Sequence, residues 1–314
     1  MNSSRQGYLF AILAIVIFGI QDGISKHLGG LYPPVFITFM RYIAFGAFVL
    51  VISARAPGGI REAARTRRPL LQWFRGVLLA VQIIVAIYCF TRVGLIQSQA
   101  IFAGAPIFVA LLSMPVLGEK VGWRRWLAIL IGLAGVMILL DPVRVWAASG
   151  TAGWTALLPV LGAFLLAIYG IATRLASQTD SARTSFFYTG VPGVVVMALI
   201  GPFFWVWPDP QGWFWIGLLC ITGMSSHFLL IKAYAVLDAV AVQPISYLQL
   251  VAGGVIGVFV FGEALGLNLI VGALIVVASG VFTVWREHVV SQRRRQQVLA
   301  EAREPEISAG PLQP

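Results

Sequence analysis

Two opposite charges set inside apolar stretches are the groups of this chain best placed to do chemistry. Asp22 lies in the run ending FGIQDGISKHL, and Arg41 in FMRYIAFGAFVL. A carboxylate in hydrocarbon costs about 2.5–3.5 kcal/mol on insertion scales, so it needs a partner or a task. Counted inward from Leu28, Asp22 lies roughly 9 Å deep at helical rise, and Arg41, counted from Pro34, roughly 10 Å. Matching depth, opposite charge and a short connection predict an Asp22–Arg41 pair, with Lys26 one turn along as a second neighbour. Such a pair either fixes the first helical hairpin or grips a charged solute or a coupling proton. The sequence leaves both open.

Other polar groups inside apolar stretches are Gln82, Tyr88, Tyr169, Thr173, His227, Tyr234, Gln243, Tyr247 and Gln249. At i, i+4 spacing, Phe18, Asp22 and Lys26 share one helix face, as do Tyr169 with Thr173 and Gln243 with Tyr247. Three such rows, if they converge, line a cavity with aromatic walls and a few hydrogen-bonding groups. Interhelical hydrogen bonding is the plainer alternative. His227 is either a group titrating near neutral pH or a satisfied packing residue.

Glu119 and Glu263 each follow a glycine, and the spacing reads them as capping or hinge groups at helix ends rather than as transport groups. Pro106 and Pro244 interrupt backbone hydrogen bonding inside spans and are candidate hinges for gating. Gly253 and Gly257 form a G-x-x-x-G that permits close helix approach, within the chain or between copies.

The elements that must position these groups are membrane helices. Of the 314 residues 59% are hydrophobic and 11% charged, whereas a soluble domain carries about 25% charged residues. Ten apolar windows are long enough for a bilayer core of about 30 Å: 7–28, 34–53, 71–92, 95–115, 123–141, 154–174, 184–203, 213–236, 239–261 and 266–286. The first is too long for a signal peptide and has no small-residue cleavage site, so it is expected to be retained. With the spans alternating, eighteen Lys and Arg fall on one side and three on the other (Lys26, Arg92 and Arg144), with Arg41 within a span. That bias places both termini in the cytoplasm.

The same bias assigns the net charge of +10 to membrane topology rather than to nucleic acid, the run Arg55 to Arg75 forming an inner loop. Trp73, Trp123, Trp126, Trp154, Trp205, Trp207, Trp213, Trp215 and Trp285 sit near span ends as interfacial anchors. Cys89 and Cys220 lie in apolar runs and imply no disulfide. No H-E-x-x-H, G-x-S-x-G or cysteine cluster occurs, so neither an enzyme, nor a metal, nor a cofactor is expected.

The chain also repeats itself. GEKVGWRRWLAILIGLAGVMILLD (Gly118 to Asp141) and GEALGLNLIVGALIVVASGVFTVW (Gly262 to Trp285) align at a shift of 144, with Gly118/Gly262, Glu119/Glu263, Gly122/Gly266, Leu130/Leu274, Ile131/Ile275 and Ala134/Ala278 identical. This divides the chain into a cytoplasmic N-terminus (1–6), a first five-helix repeat (7–141), an extracytoplasmic loop (142–153), a second repeat (154–286) and a polar cytoplasmic tail (287–314). The tail's arginines lie close to anionic headgroups, and its last ten or so residues are expected to be disordered. Five is odd, so the second repeat enters the membrane inverted, a plan that recurs in secondary transporters with the substrate between the repeats.

These residues resemble the EamA family of the drug/metabolite transporter superfamily over roughly 7–286. The likeness rests on FGIQDGISKHL, on the arginine of FMRYIAFGAFVL, on the endings LGEK and FGEA, and on AGAPIFVALLSMPVLGE. PISYLQLVAGGVIGVFVFGE departs from the pattern: Leu250 stands where Pro106 has its equivalent, and the proline comes earlier, as Pro244. The resemblance implies an all-α polytopic membrane protein of ten transmembrane helices in two inverted five-helix repeats. It implies a secondary transporter of the cell's inner membrane, moving an amino-acid-like or other small organic solute by alternating access through a central cavity, with export favoured. Its partners are then a small-molecule substrate, the lipid bilayer and a proton as candidate coupling ion, in a monomer or homodimer. An intramembrane enzyme, a channel and a membrane scaffold are the alternatives from other classes.

Overall fold

Apolar side chains leave the backbone as the main polar burden, and in lipid a helix meets that burden within one segment. The computed structural model of the chain describes residues 3–117, 123–140, 155, 157–234, 243–282, 285 and 289, and helices are the regular structure found there. They are α1 (Ser3–Gly29), α2 (Pro34–Arg55), the short α3 (Gly59–Ala63), α4 (Pro69–Arg92), α5 (Leu95–Phe102), α6 (Ala105–Leu117) and α7 (Trp123–Leu140). After these come α8 (Leu158–Ser177), α9 (Ala182–Ile200), α10 (Pro210–Tyr234), α11 (Tyr247–Phe259) and α12 (Leu267–Phe282).

Seven segments are long and apolar enough to cross a bilayer, and three further apolar helices, Trp126–Leu139, Tyr247–Phe259 and Leu267–Phe282, are shorter. The outside is as apolar as the inside: Phe203 is 87% exposed, Phe259 83% and Leu267 80%. Such faces need lipid. The chain is a multi-pass membrane protein.

Local signals set the helix ends. α2, α4 and α8 open on proline at the first turn, where the missing N–H costs nothing. Ser181 caps α9 through the Thr184 N–H at 3.1 Å. The expected fourth span, 95–115, is broken into α5 and α6 by a turn at Ala103–Gly104. Pro106 is the second residue of α6, a position it occupies without straining a helix interior. Pro244 falls in a 3-10 turn, Gln243–Ser246, that leads into α11. Both prolines thus stand at helix starts rather than inside continuous helices.

α1 packs most extensively on α10 and also on α11 and α4, while α8 packs on α4, α6 and α5. α9 packs on α2 and α4, α10 on α2, and α11 on α5. Glycine permits the closest of these contacts. A Cβ at Gly76 of α4 would strike the Tyr188 carbonyl and Pro192 of α9, one at Gly193 would overlap the Tyr42 ring, and one at Gly257 would strike Ile96. The G-x-x-x-G of α11 is used within the chain, against α5.

At one end of the bundle the α2–α4 connection is sewn to the α8–α9 turn. Arg183 donates to the carbonyls of Pro57, Ser53 and Gly59, and Tyr188 donates to Ala64 O at 3.0 Å. Asp180 accepts from the Thr66 hydroxyl, from Arg67 N–H at 2.9 Å and from the Gln72 amide at 2.9 Å. Burial works against its charge, but these donors together hold Asp180 below the usual carboxylate range. At the other end Asp209 accepts from Gly212 N–H at 2.8 Å and from Tyr32 at 2.9 Å, which holds it low as well.

Candidate functional site

Asp22, seven residues before the end of α1, lies where α1, α5 and α11 meet. Gly19 and Gly23 bring α1 against Ala252 and Ile256 of α11, and Gly253 brings α11 against Gln99 of α5. In that junction Asp22 Oδ2 accepts from the Gln99 amide at 2.9 Å and from the Gln249 amide at 2.6 Å. The expected Asp22–Arg41 ion pair is not made. Two neutral amides, from α5 and α11, take the place meant for the guanidinium. The two charges stay within electrostatic reach of each other without touching.

Arg41 instead lines a small cavity between α2, α4 and α10, with Tyr42, Phe45, Ile83, Cys220 and His227 among its walls. Its volume, about 30 Å³, is room for about one water. Among the described residues Arg41 has no hydrogen bond and no ion pair. The Tyr42 hydroxyl is buried and unpartnered. His227 is held by rings, edge-on to Phe18 at 5.0 Å and tilted to Phe45 at 5.0 Å. Phe18, of the row with Asp22 and Lys26, and His227, which the sequence put in no row, are thus brought together.

Lys26 is not a neighbour of Asp22 in any bond. It pairs with Glu263 and lies 4.3 Å from the centre of the Phe261 ring. The same carboxylate accepts from the N–H groups of Leu95 at 2.7 Å and Ile96 at 2.9 Å, the first turn of α5. Glu263 is therefore a capping group, as its position after a glycine suggested, but for a helix of the other half of the chain. Gly94 at φ +115° precedes that turn, a backbone conformation that a side chain would strain. Beside the pair opens a polar recess of about 340 Å³ lined by Thr91, Arg92, Gly94 and Gln97 as well.

Tyr169 and Thr173 do share a face, but they clamp Arg75 rather than stand free as cavity wall. Arg75 is 2% exposed. It donates to Tyr169 Oη at 3.2 Å, Thr173 Oγ1 at 3.4 Å, Gln72 Oε1 at 3.2 Å and the Ser185 carbonyl. The sequence put Arg75 with the cations of an inner loop. Its place one turn into α4, six residues after Pro69, was the available signal that it could be drawn inside.

Of the remaining candidates, Gln82 is buried in α4, and Tyr88 is 37% exposed with Arg92 over its ring at 5.6 Å. The Tyr247 hydroxyl is buried without a partner, and Gln249 serves Asp22. The side chains of Tyr234, Gln243 and Pro244, and all of Glu119, lie outside the described residues. Gln21, Tyr42 and Gln99 were missed. Each was visible as a polar residue in an apolar run, next to a charge or, for Gln99, in the amide pair of LIQSQAIF.

The model of the EamA-like transporter family matches the chain twice, over residues 5–141 and 153–285. The S-adenosylmethionine uptake transporter of Rickettsia prowazekii is 26% identical over 294 residues, covering 91% of this chain and 96% of its own. The riboflavin transporter of Vibrio cholerae is 30% identical over 302 residues, covering 92% of this chain and 96% of its own. A solved crystal structure superposes with a TM-score of 0.57 at 18% identity, over 90% of this chain and 97% of that one, a likeness of fold alone. The export implied by resemblance finds no support, since the Rickettsia relative is named for uptake. Family and relatives are transporters and not enzymes. Matched along nearly its whole length, this small-metabolite membrane transporter belongs to the EamA-like transporter family.

Proposed function

We propose that the protein is a secondary carrier that moves a small organic solute by alternating access between two inverted five-helix repeats, 7–141 and 154–286. The ten spans are then α1, α2, α4, α5–α6 and α7, answered by α8, α9, α10, α11 and α12. The packing supports this exchange. α1 on α10 has its counterpart in α8 on α4, α1 on α11 in α8 on α5–α6, and α10 on α2 in α9 on α4. α2 on α9 and α5 on α11 are contacts of a helix with its own counterpart.

The single observation that carries the carrier reading is Arg41, unpaired among the described residues, at a small cavity between the halves, with Asp22 within electrostatic reach. A charge held in lipid without a partner is a functional group by default. The relatives' printed cargoes, S-adenosylmethionine and riboflavin, support a solute with a flat ring system, for which Phe45 and Tyr42 supply aromatic walls. Uptake is the direction that the name of the S-adenosylmethionine relative favours. Both termini lie in the cytoplasm of a cell whose inner membrane holds the protein, by the bias of Lys and Arg.

Counterflow in proteoliposomes tests the reading. Saturable exchange of labelled against unlabelled solute is expected, and linear unsaturated flux would replace the carrier by a pore. Asp22 is the candidate proton group. With Asp22→Asn, dependence of transport on a pH gradient should vanish while the protein stays in the membrane; undiminished dependence clears Asp22.

A further inference from the structure

Arg41 presents a charge-balance problem. A guanidinium carries five N–H donors and cannot shed its proton, yet among the described residues it meets no acceptor and no carboxylate. Tyr42 next to it is 3% exposed, with a hydroxyl that has no partner. Both line the cavity between α2, α4 and α10. Tyr42 also sits in the field of the buried Arg75, so two cations bear on this spot against one carboxylate, Asp22. Asp22 does not answer either cation by contact, since its Oδ2 is taken by the amides of Gln99 and Gln249.

Acceptors are left over on α1, which packs against α10 beside this cavity. Asp22 Oδ1 has no protein partner among the described residues. Gln21 is 3% exposed, and its Oε1 is unpaired. That oxygen lies 3.1 Å from where a Cβ of Gly223, a cavity-lining residue, would stand. Donors without acceptors on α2 and acceptors without donors on α1 are complementary to a solute that carries both kinds of group. A buried polar group without a partner is costly, so a solute that completes both sets is held by bonds the described residues do not make among themselves.

We propose that Arg41 and Tyr42 form a subsite for a carboxylate of the transported solute, while Asp22 Oδ1 and Gln21 Oε1 receive its hydrogen-bond donors, as an ammonium would supply. The proposal rests on the carrier reading and sharpens it. A carboxylate fits because its two oxygens match one guanidinium edge and one hydroxyl, whereas a phosphate dianion needs more donors and more positive charge. The cavity here admits one water-sized group, so the solute enters a wider conformation of the same walls.

The experiment uses the purified full chain and a matched pair of probes, S-adenosylmethionine and decarboxylated S-adenosylmethionine, with L-methionine, riboflavin and glycerol phosphate alongside. Binding is read by thermal stabilisation and counterflow. The carboxylated member should bind wild type at least 10-fold more tightly than its partner. That ratio should fall close to one in Arg41→Gln, recover in part in Arg41→Lys, and drop several-fold in Tyr42→Phe, which keeps the ring packing if the arginine variants fail to fold. Equal binding of the pair to wild type, a ratio unchanged in the variants, tighter binding of glycerol phosphate, or no response to either carboxylate would each overturn the subsite. Saturable counterflow of riboflavin alone leaves the carrier standing and removes the subsite. A linear leak removes both.

Discussion

Lys26 of α1 is paired with Glu263 of the α11–α12 connection, and Glu263 in turn caps the first turn of α5. One carboxylate thus ties the second half of the chain to two helices of the first, at the rim of the polar recess. The side chains are 16% exposed, between the regimes where an ion pair is worth little and where breaking it strands a charge. Lys26→Met is expected to destabilise the protein by about 1–3 kcal/mol, because Glu263 then keeps its charge without its cation. The double variant Lys26→Met/Glu263→Gln should recover part of that loss. Melting of the four proteins of the cycle measures the coupling, and additive losses would show the pair to be incidental.

The same contact predicts a change of access. With Glu263→Gln the tie across the recess weakens, so Thr91→Cys in that background should react faster with a membrane-impermeant maleimide than Thr91→Cys alone. Equal rates would mean that the contact holds the α5 cap without closing anything.

Arg75 gives a stability prediction free of transport. Arg75→Met strands Gln72 Oε1 and loosens the Ser185 carbonyl, Tyr169 and Thr173, at an expected cost of about 1–3 kcal/mol. Arg75→Lys should recover only a fraction, because one ammonium cannot reach partners spread around a planar fork. Full recovery by lysine would show that charge alone matters there.

Most of the helices could be read from the sequence because apolar length and proline starts are local properties. α2, α4 and α8 begin within a few residues of their windows for that reason. The partners of Asp22 were not legible. Depth counting put Arg41 level with it, but depth says nothing about azimuth, and the glycines at 19, 23 and 253 let α1, α5 and α11 come close around Asp22. Lys26 shares a helix face with Asp22, yet its long stem reaches past to Glu263, 237 positions away in sequence. Glu263 was recognised as a cap, but not which helix it caps, since a turn donor and its acceptor carry no sequence mark of each other. Arg75 was counted with the loop because a positive-inside tally sorts cations by distance along the chain, not by burial.

Gly253 links packing to the site. A Cβ there would overlap the Gln99 amide, which holds Asp22. Gly253→Ala should therefore lower solute binding as Gln99→Ala does, by a similar factor, and the two changes together should do little more than either alone. Gly254, one residue along the same helix, meets nothing within 4 Å, so Gly254→Ala is the matched control and should leave binding unchanged. Losses that add fully would separate the two residues.

Asp180 sets an acid limit at the opposite end from the Lys26 contact. Its carboxyl is held below the ordinary 3.8, so its contribution is complete above that value and fades as pH falls through the lower, folded-state value. The stitch between the α2–α4 connection and the α8–α9 turn should loosen only below about pH 4. Melting the wild type and Asp180→Asn from pH 6 down to pH 3 tests this. The wild type should lose its advantage over the variant as the solution is acidified through that window. Asp209→Asn, which removes the other depressed carboxylate, should remove a separate part of the acid sensitivity and leave the Asp180 part in place. Curves for wild type and Asp180→Asn that stay parallel to pH 3 would mean that the donors from Thr66, Arg67 and Gln72 hold the turn whether or not the carboxyl is charged.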